Sequence, residues 1–162
     1  MLRIKVLVTL ALLWLLAGCS MLSPYSTQTR LELQLAASDQ LNPDINGRPS
    51  PVVVRLIELK NPVLFETTDF FSLYGQPKEL LAPDLIAAEE LELRPGERLT
   101  FKLRLGEGSR YVGVLAAYRD LPGTRWRYVI QLMPGETTSV ELGLDHTGIN
   151  PGSAAFAQAG GE

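Results

Sequence analysis

Apolar and polar residues alternate in short runs through the middle of the chain. Leu31, Leu33 and Leu35 are separated by polar residues, a period of two that is typical of a strand with one buried face. Segments 52–59 and 110–118 are apolar at nearly every position, as expected of strands covered on both faces. Shorter apolar runs lie at residues 91–93, 99–105, 126–132 and 140–144. The pattern predicts seven strands in a mainly β fold, a two-layer antiparallel β-sandwich.

The connection between the first two predicted strands is unusually long. It spans residues 38–51 and holds three prolines and an Asn46-Gly47 turn signal. Neighbouring strands are usually joined by about two to five residues, and much longer connections are often functional. The residues alone leave two interpretations open, a binding loop or an ordinary surface loop crossing the end of the sandwich.

Strand alternation also lapses at residues 61–88. Thr68 is a candidate N-cap for a short helix that carries Phe70, Phe71 and Tyr74. We predict that this segment is a short helical insertion whose aromatic residues pack against the sandwich. In the later strand at 126–132, alternation assigns Trp126 to the buried face together with Tyr128 and Ile130.

The N-terminus has the pattern of a secretory signal. Arg3 and Lys5 precede an apolar run at residues 6–16, which is shorter than the roughly 20 residues that span a bilayer. The run ends in Leu-Ala-Gly before Cys19, which resembles a lipobox. We predict that residues 1–18 are a cleaved signal peptide and that Cys19 carries a diacylglycerol and an N-acyl chain. The alternative is a membrane-anchored N-terminal helix with an incidental cysteine.

Residues 19–28 then form a lipidated tether. The residue after the cysteine is Ser20 rather than aspartate, which by the sorting rule of enteric lipoproteins favours the outer membrane, facing the periplasm. Removing Arg3 and Lys5 from 15 basic residues leaves 13 against 18 acidic ones, a net charge of about −5 that argues against a nucleic-acid partner. The only cysteine is used for the lipid, so the domain has no internal disulfide.

The remaining boundaries follow from composition. We predict that residues 29–144 form the sandwich with its helical insertion at about 61–88. Residues 145–162 are rich in Gly, Ala, Asn and Ser and are predicted to be a flexible C-terminal tail.

Residues for catalysis are sparse. His146 is the single histidine, so neither a histidine-pair metal site nor an independent catalytic triad is available. Glu89, Glu90 and Glu92 interleave with strand residues and are better explained as a solvated strand edge. We therefore predict no catalytic residues, metal, cofactor or small-molecule substrate, and a binding or structural protein. The main alternative is a periplasmic carrier or chaperone-like lipoprotein that holds an apolar ligand between its sheets. The bulky strand residues argue against the internal pocket that such a carrier needs.

A set of segments, in this order, resembles the type VI secretion lipoprotein family TssJ, also called SciN or VasD. The similarity covers about residues 16–144 and no single motif is decisive. The segments that carry the resemblance are the lipobox, Asn42-Pro43-Asp44, residues 47–55 and 69–74, the Pro95-Gly96-Glu97 turn, and residues 112–120 followed by Trp126-Arg127.

The resemblance implies a transthyretin-like sandwich on the outer membrane that binds the periplasmic C-terminal region of an inner-membrane TssM-type protein. With TssM, and indirectly TssL, it would build the trans-envelope complex of a type VI secretion system. The resemblance further implies binding through the loop that joins the first two strands. We expect apolar contacts from Leu41 and Ile45 and a charged contact from Arg48. The complete predicted site is Leu41, Asn42, Pro43, Asp44, Ile45, Asn46, Gly47, Arg48, Pro49 and Ser50.

Overall fold

Residues 28–152 are described in a computed structural model, in which eight strands form two four-stranded sheets. The predicted signal peptide, Cys19 and residues 153–162 of the predicted tail lie outside this range. The elements are β1 (Arg30–Ala37), β2 (Val52–Leu59), α1 (Val63–Thr67), α2 (Phe70–Gly75), α3 (Pro77–Leu80), β3 (Leu85–Leu93), β4 (Arg98–Arg104), β5 (Tyr111–Ala116), β6 (Arg127–Gln131), β7 (Thr137–Asp145) and β8 (Gly148–Pro151).

The first sheet has the strand order β4-β1-β7-β8 and the second has the order β3-β2-β5-β6. The predicted two-layer β-sandwich is therefore confirmed. One pair departs from the antiparallel prediction, because β1 and β7 are parallel, with Leu33 opposite Val140. β1 and β7 therefore start at the same end of the first sheet, whereas β4 starts at the opposite end.

The main core lies between the two sheets. Leu31, Leu33 and Leu35 are fully buried there, which confirms the one-faced burial predicted for β1. Val54 from β2 and Val114 from β5 oppose them across the sandwich in the same cluster. Fully burying an aliphatic side chain of this kind contributes about 1.5 to 3 kcal/mol, so this cluster is a principal source of stability.

A second core lies on the outer face of the second sheet, beneath the helices. Ile57 and Leu59 point to this face, while other apolar residues of β2 point inward, so β2 is covered on both sides as predicted. Phe65 of α1 packs directly over Gly113 of β5, where a Cβ atom would lie only 2.8 Å from the ring. Because Gly113 has no side chain, the ring of Phe65 can pack directly against β5. This contact holds the helical insertion on the sheet.

The helical insertion is shorter than predicted. Its helices end at Leu80, and residues 85–88, which were assigned to the insertion, belong to β3. The predicted N-cap is also wrong by one residue, since Asp69 accepts a 3.0 Å hydrogen bond from the backbone N–H of Ser72 and so caps α2. Thr68 instead ends α1, where its N–H donates to the carbonyl of Leu64.

The sandwich extends past its predicted C-terminal boundary at residue 144. Gly148–Pro151 forms β8 and pairs antiparallel with β7, so the first residues of the predicted flexible tail are part of a sheet. Gly148 has φ +115 and lies so close to the backbone of Arg125 that a Cβ would clash with it. This close approach links the end of the first sheet to β6 of the second, and a composition-based prediction could not detect it.

Candidate functional site

The long connection predicted as a binding site links the two sheets at one end of the sandwich. It leaves β1 after Ala37 and enters β2 at Val52. Thr29 precedes β1 at the opposite end of this strand, and eight strand residues at about 3.3 Å each separate the two ends by about 26 Å. We call the end with the long loop the distal end and the end with Thr29 the proximal end.

Two of the predicted site residues form the base of the loop rather than its surface. Leu41 is fully buried in the main core, so the prediction that it offers an apolar contact to a partner is wrong. Asn42, also a predicted site residue, is 4% exposed and so offers little surface to a partner. Its Nδ2 donates to the carbonyl of Pro51 at 2.8 Å, and its Oδ1 accepts from the N–H of Arg119 at 2.9 Å. The sequence could not separate these two residues from the exposed part of the loop, because a loop has no fixed period of buried and exposed positions.

Asp44 organises the next turn of the loop. Its Oδ1 accepts hydrogen bonds from the N–H groups of Asn46 at 2.8 Å and Arg48 at 2.9 Å. The backbone closes the same turn, because the N–H of Asp44 donates to the carbonyl of Arg48 at 2.8 Å. These bonds favour the ionised carboxylate, and the hydrogen bond from the Arg48 backbone is the main cause of a lowered Asp44 pKa.

The turn built on Asp44 presents a small exposed crest. Ile45 is fully exposed, and Asn46, Gly47, Arg48 and Pro49 are exposed beside it. Gly47 has φ +77, a conformation that suits glycine in a tight turn. Pro43 and Ser50 are half-buried at the two sides. The crest therefore combines one isolated apolar side chain, one cation and several polar groups on a backbone that is already ordered.

A second exposed apolar feature lies on the helical insertion. Phe70 stacks on Tyr74 with a centroid distance of 5.3 Å and meets Trp126 edge-on at 5.2 Å. These aromatic residues pack against the sandwich as predicted, but Phe71 is 76% exposed. Trp126 packs against the main core together with Tyr128 and Ile130, so its predicted face is confirmed, but it is only half-buried and also contacts the second core. Its burial is incomplete because Trp126 precedes β6, where the chain leaves a loop.

Two arginines that sequence reasoning missed hold this insertion in place. Arg127 donates to the carbonyl of Thr68 at 2.7 Å, and its guanidinium lies 4.5 Å from the centroid of the Trp126 ring. Arg55 donates to the carbonyl of Tyr74 at 2.6 Å and pairs with Glu90 at 2.6 Å. The sequence does place a cation within each of these largely apolar strands. A cation on a covered face of a sheet requires a nearby hydrogen-bond acceptor, and this could have identified both arginines.

The geometry offers little for catalysis or for an internal ligand. Among residues 28–152, no group of three or more His, Cys, Asp or Glu side chains could hold a metal ion. The cleft between the β3 and β4 edges, lined in part by Leu56, Leu105 and Val112, has a volume of about 50 Å³. Drug-sized ligands occupy about 300 to 1,000 Å³, so this cleft does not support the carrier alternative. Within the same residues, no helix has the length and apolar character needed to cross a membrane.

Comparison with solved structures finds close relatives of this fold. The T6SS lipoprotein TssJ1 from Pseudomonas aeruginosa is 34% identical with a TM-score of 0.75, covering 77% of this chain and 95% of that chain. Serratia marcescens Lip, a membrane-bound component of the type VI secretion system, is 26% identical with a TM-score of 0.68, covering 76% and 97%. A chain in the structure of the T6SS protein TssM C-terminal domain (869–1107) from EAEC is 25% identical with a TM-score of 0.64, covering 76% and 97%.

The sequence profile of one family also matches. It is described as type VI secretion lipoprotein, VasD, EvfM, TssJ, VC_A0113, and it aligns with residues 29–147. A comparison with curated proteins gives no match. The aligned region contains strands β1 to β7, the long distal loop and the helical insertion. This chain therefore belongs to the type VI secretion lipoprotein family, TssJ.

Proposed function

We propose that the chain is an outer-membrane lipoprotein that faces the periplasm and binds the periplasmic C-terminal region of a TssM-type inner-membrane protein through its distal loop. As a member of the TssJ family it is a structural component of a type VI secretion system and not an enzyme. Its proposed role is to connect the outer membrane to the trans-envelope complex, with TssL joined indirectly through TssM.

The observation that carries this proposal is the exposed crest on a fixed base. Ile45 is fully exposed, while the loop beneath it is held by the buried Asn42 and by the Asp44 turn. An ordered loop loses little conformational entropy on binding, so one apolar side chain and one arginine can contribute effectively to an interface. The similarity to a chain in the structure of a TssM C-terminal domain supports a partner of that kind.

The position of the loop also supports the proposal. The proposed lipid site, Cys19, precedes Thr29 at the proximal end, whereas the crest lies at the distal end, about 26 Å further along β1. In a domain anchored through its N-terminus, the crest therefore lies at the end farther from the point of attachment. This is the end that can reach farthest toward an inner-membrane protein.

Capture of the purified TssM-type periplasmic region tests the loop. Ile45→Asp should weaken capture at least about tenfold, equivalent to about 1.4 kcal/mol, because a charge would be buried in the interface. Met133→Asp is the matched control, since Met133 is also an exposed apolar residue, 56% exposed, but lies at the proximal end. Both variants should keep the wild-type unfolding midpoint.

Three results would change the assignment. Unaltered capture by Ile45→Asp would exclude the crest as the interface. Loss of capture on Phe71→Asp alone would move the interface to the helical insertion. Loss with the Met133→Asp control would show that capture depends on general surface charge and not on a defined loop.

The anchor is tested separately. Cys19→Ser removes the acyl acceptor, so the protein should leave the outer-membrane fraction while the sandwich remains folded. Secretion should then fail although purified Cys19→Ser protein still captures the partner. Retention of Cys19→Ser in the outer membrane together with normal secretion would contradict the lipoprotein proposal.

A further inference from the structure

The proximal end of the sandwich carries exposed apolar side chains beside the start of the domain. The carbonyl of Thr29 accepts a 3.1 Å hydrogen bond from the N–H of Leu105, and its Oγ1 accepts a 3.0 Å bond from the N–H of Gly135. These bonds fix the start of the domain against the turn between β6 and β7. Met133 lies in that turn and is 56% exposed.

The start of the helical insertion lies at the same end. The N–H of Leu132 donates to the carbonyl of Arg110 at 2.9 Å, and the N–H of Arg110 donates to the carbonyl of Leu59 at 3.0 Å. The end of β2 is therefore next to the β6–β7 turn. Four residues beyond Leu59, α1 begins with Val63, which is 53% exposed, followed by Leu64 at 37%.

Charged residues surround these apolar side chains. Lys60, three residues before Val63, and Arg110, whose N–H donates to the carbonyl of Leu59, are both exposed, and Glu107 and Glu136 are exposed in the neighbouring turns. The mixture of apolar groups with both signs of charge resembles the boundary of a phospholipid bilayer, where phosphates and ammonium groups lie above the acyl chains. It lacks the excess of positive charge expected of a nucleic-acid surface.

The length of the chain before the domain limits what this end can face. Nine residues, 20–28, separate the proposed lipid site from Thr29, and nine residues can span at most about 32 Å even when fully extended. The proximal end is thus held within a short distance of the bilayer that contains the acyl chains.

We propose that the proximal end docks on the phospholipid surface of the anchoring leaflet, with Val63 and Met133 entering the headgroup region and Lys60 and Arg110 contacting phosphates. This inference rests on the proposed lipid anchor at Cys19. Docking would orient the sandwich, so that the crest at Ile45 projects away from the membrane in one direction instead of sweeping through all directions allowed by the tether.

Site-specific fluorescence on the full lipidated protein tests the contact. Since the sequence contains a single cysteine, Cys19, and the lipid occupies it, any introduced cysteine is the only free thiol. Val63→Cys and Met133→Cys are labelled with an environment-sensitive nitrobenzoxadiazole dye, and Ile45→Cys is the distal control. The proteins are placed in vesicles of phosphatidylethanolamine and phosphatidylglycerol, with and without phospholipids that carry a quencher just below the headgroup.

Quenching several-fold stronger at positions 63 and 133 than at position 45 is the expected result. Equal quenching at all three positions would overturn the proposal. The proposal would also be overturned if the dyes at positions 63 and 133 were protected from aqueous iodide but not quenched by the lipids, because protein would then cover this end. Labelling of the wild-type chain would reveal a free Cys19 thiol and overturn the anchor itself. The first two outcomes leave the proposed anchor and partner binding intact, so the two failures are distinguishable.

Discussion

Asn42 and Arg119 are joined by a 2.9 Å hydrogen bond between a buried side-chain oxygen and a backbone N–H that lie 77 residues apart in sequence. The other end of the Asn42 amide donates to the carbonyl of Pro51. One side chain thus ties the base of the distal loop both to the entry of β2 and to the loop after β5. Asn42 also has φ +44, a conformation that asparagine tolerates better than most residues.

Asn42→Ala should lower the free energy of unfolding by about 1 to 3 kcal/mol, because it leaves two backbone groups without their partner and places an alanine at positive φ. Urea denaturation measures this loss. Asn42→Gly is the matched variant, since it removes the same hydrogen bonds while relieving the backbone. A smaller loss for Asn42→Gly separates the two causes, whereas wild-type stability in both variants would show that Asn42 does not hold the loop.

The buried amide of Asn42 limits which part of the loop can be replaced in a test of partner binding. Replacing the loop from Asn42 onward would remove a structural anchor together with the candidate interface, so reduced capture would be ambiguous. A replacement confined to 45–48 leaves Asn42 and Asp44 in place and should preserve the unfolding midpoint while weakening partner capture. The outcome is read from calorimetry and capture on the same samples.

Gly113→Ala should destabilise the protein by about 1 to 3 kcal/mol, because the added methyl group would overlap the ring of Phe65. Phe65→Leu in the same chain should recover part of this loss by making room. Gly75→Ala is the control, since a Cβ there meets no atom within 4 Å. Equal thermal midpoints for Gly113→Ala and Gly75→Ala would contradict the close packing of the Phe65 ring on Gly113.

Much of the fold could be predicted from hydrophobic patterning because burial in a sheet repeats at every second residue. Leu31, Leu33 and Leu35 of β1 follow that period, which is lost only at the end of the strand, where Ala36 and Ala37 are both buried. β8 could not be predicted in this way, since its four residues contain one buried aliphatic side chain, Ile149, and pairing depends on the backbone of Gly148.

The candidate site was predictable as a segment but not residue by residue. Its excess length marked residues 38–51 correctly as a long connection. Whether Leu41 or Ile45 faces solvent depends on long-range contacts with the core and with Arg119, which no local pattern records. The exposed Ile45 and the buried Leu41 look equivalent in the sequence.

Acid should weaken the docking of α2 through Asp69. The hydrogen bonds from Ser72 to this N-cap lower the pKa of the carboxyl from its ordinary value of 3.8. A lowered folded-state pKa means that the stabilising contribution is complete above the unfolded pKa and is lost as pH falls below about 4. Asp69→Asn keeps an acceptor at the cap but cannot titrate, so its unfolding midpoint should fall less between about pH 6 and about pH 3.

Glu66→Gln is the control for that titration, because it removes an exposed carboxylate from the insertion without touching the α2 cap. Its acid dependence should follow the wild type. Parallel midpoint curves for Asp69→Asn and the wild type would show that the cap is not a source of the acid sensitivity.

Alkali should act through Tyr118, whose ring is buried in the main core. Among the described residues no hydrogen-bond partner reaches its hydroxyl group. Burial, with a smaller contribution from Asp145, raises the pKa of this phenol above its ordinary value of 10.0. Because the folded-state pKa is raised, the associated stability is fully present below about pH 10 and is lost as pH rises through the folded pKa.

Tyr118→Phe removes the titrating group and the unpaired hydroxyl while keeping the ring. Its stability at pH 7 should equal or exceed that of the wild type by up to about 1 to 3 kcal/mol, and its unfolding midpoint should decline less above about pH 10. Destabilisation of Tyr118→Phe at neutral pH would mean that the hydroxyl forms a favourable interaction in the folded protein.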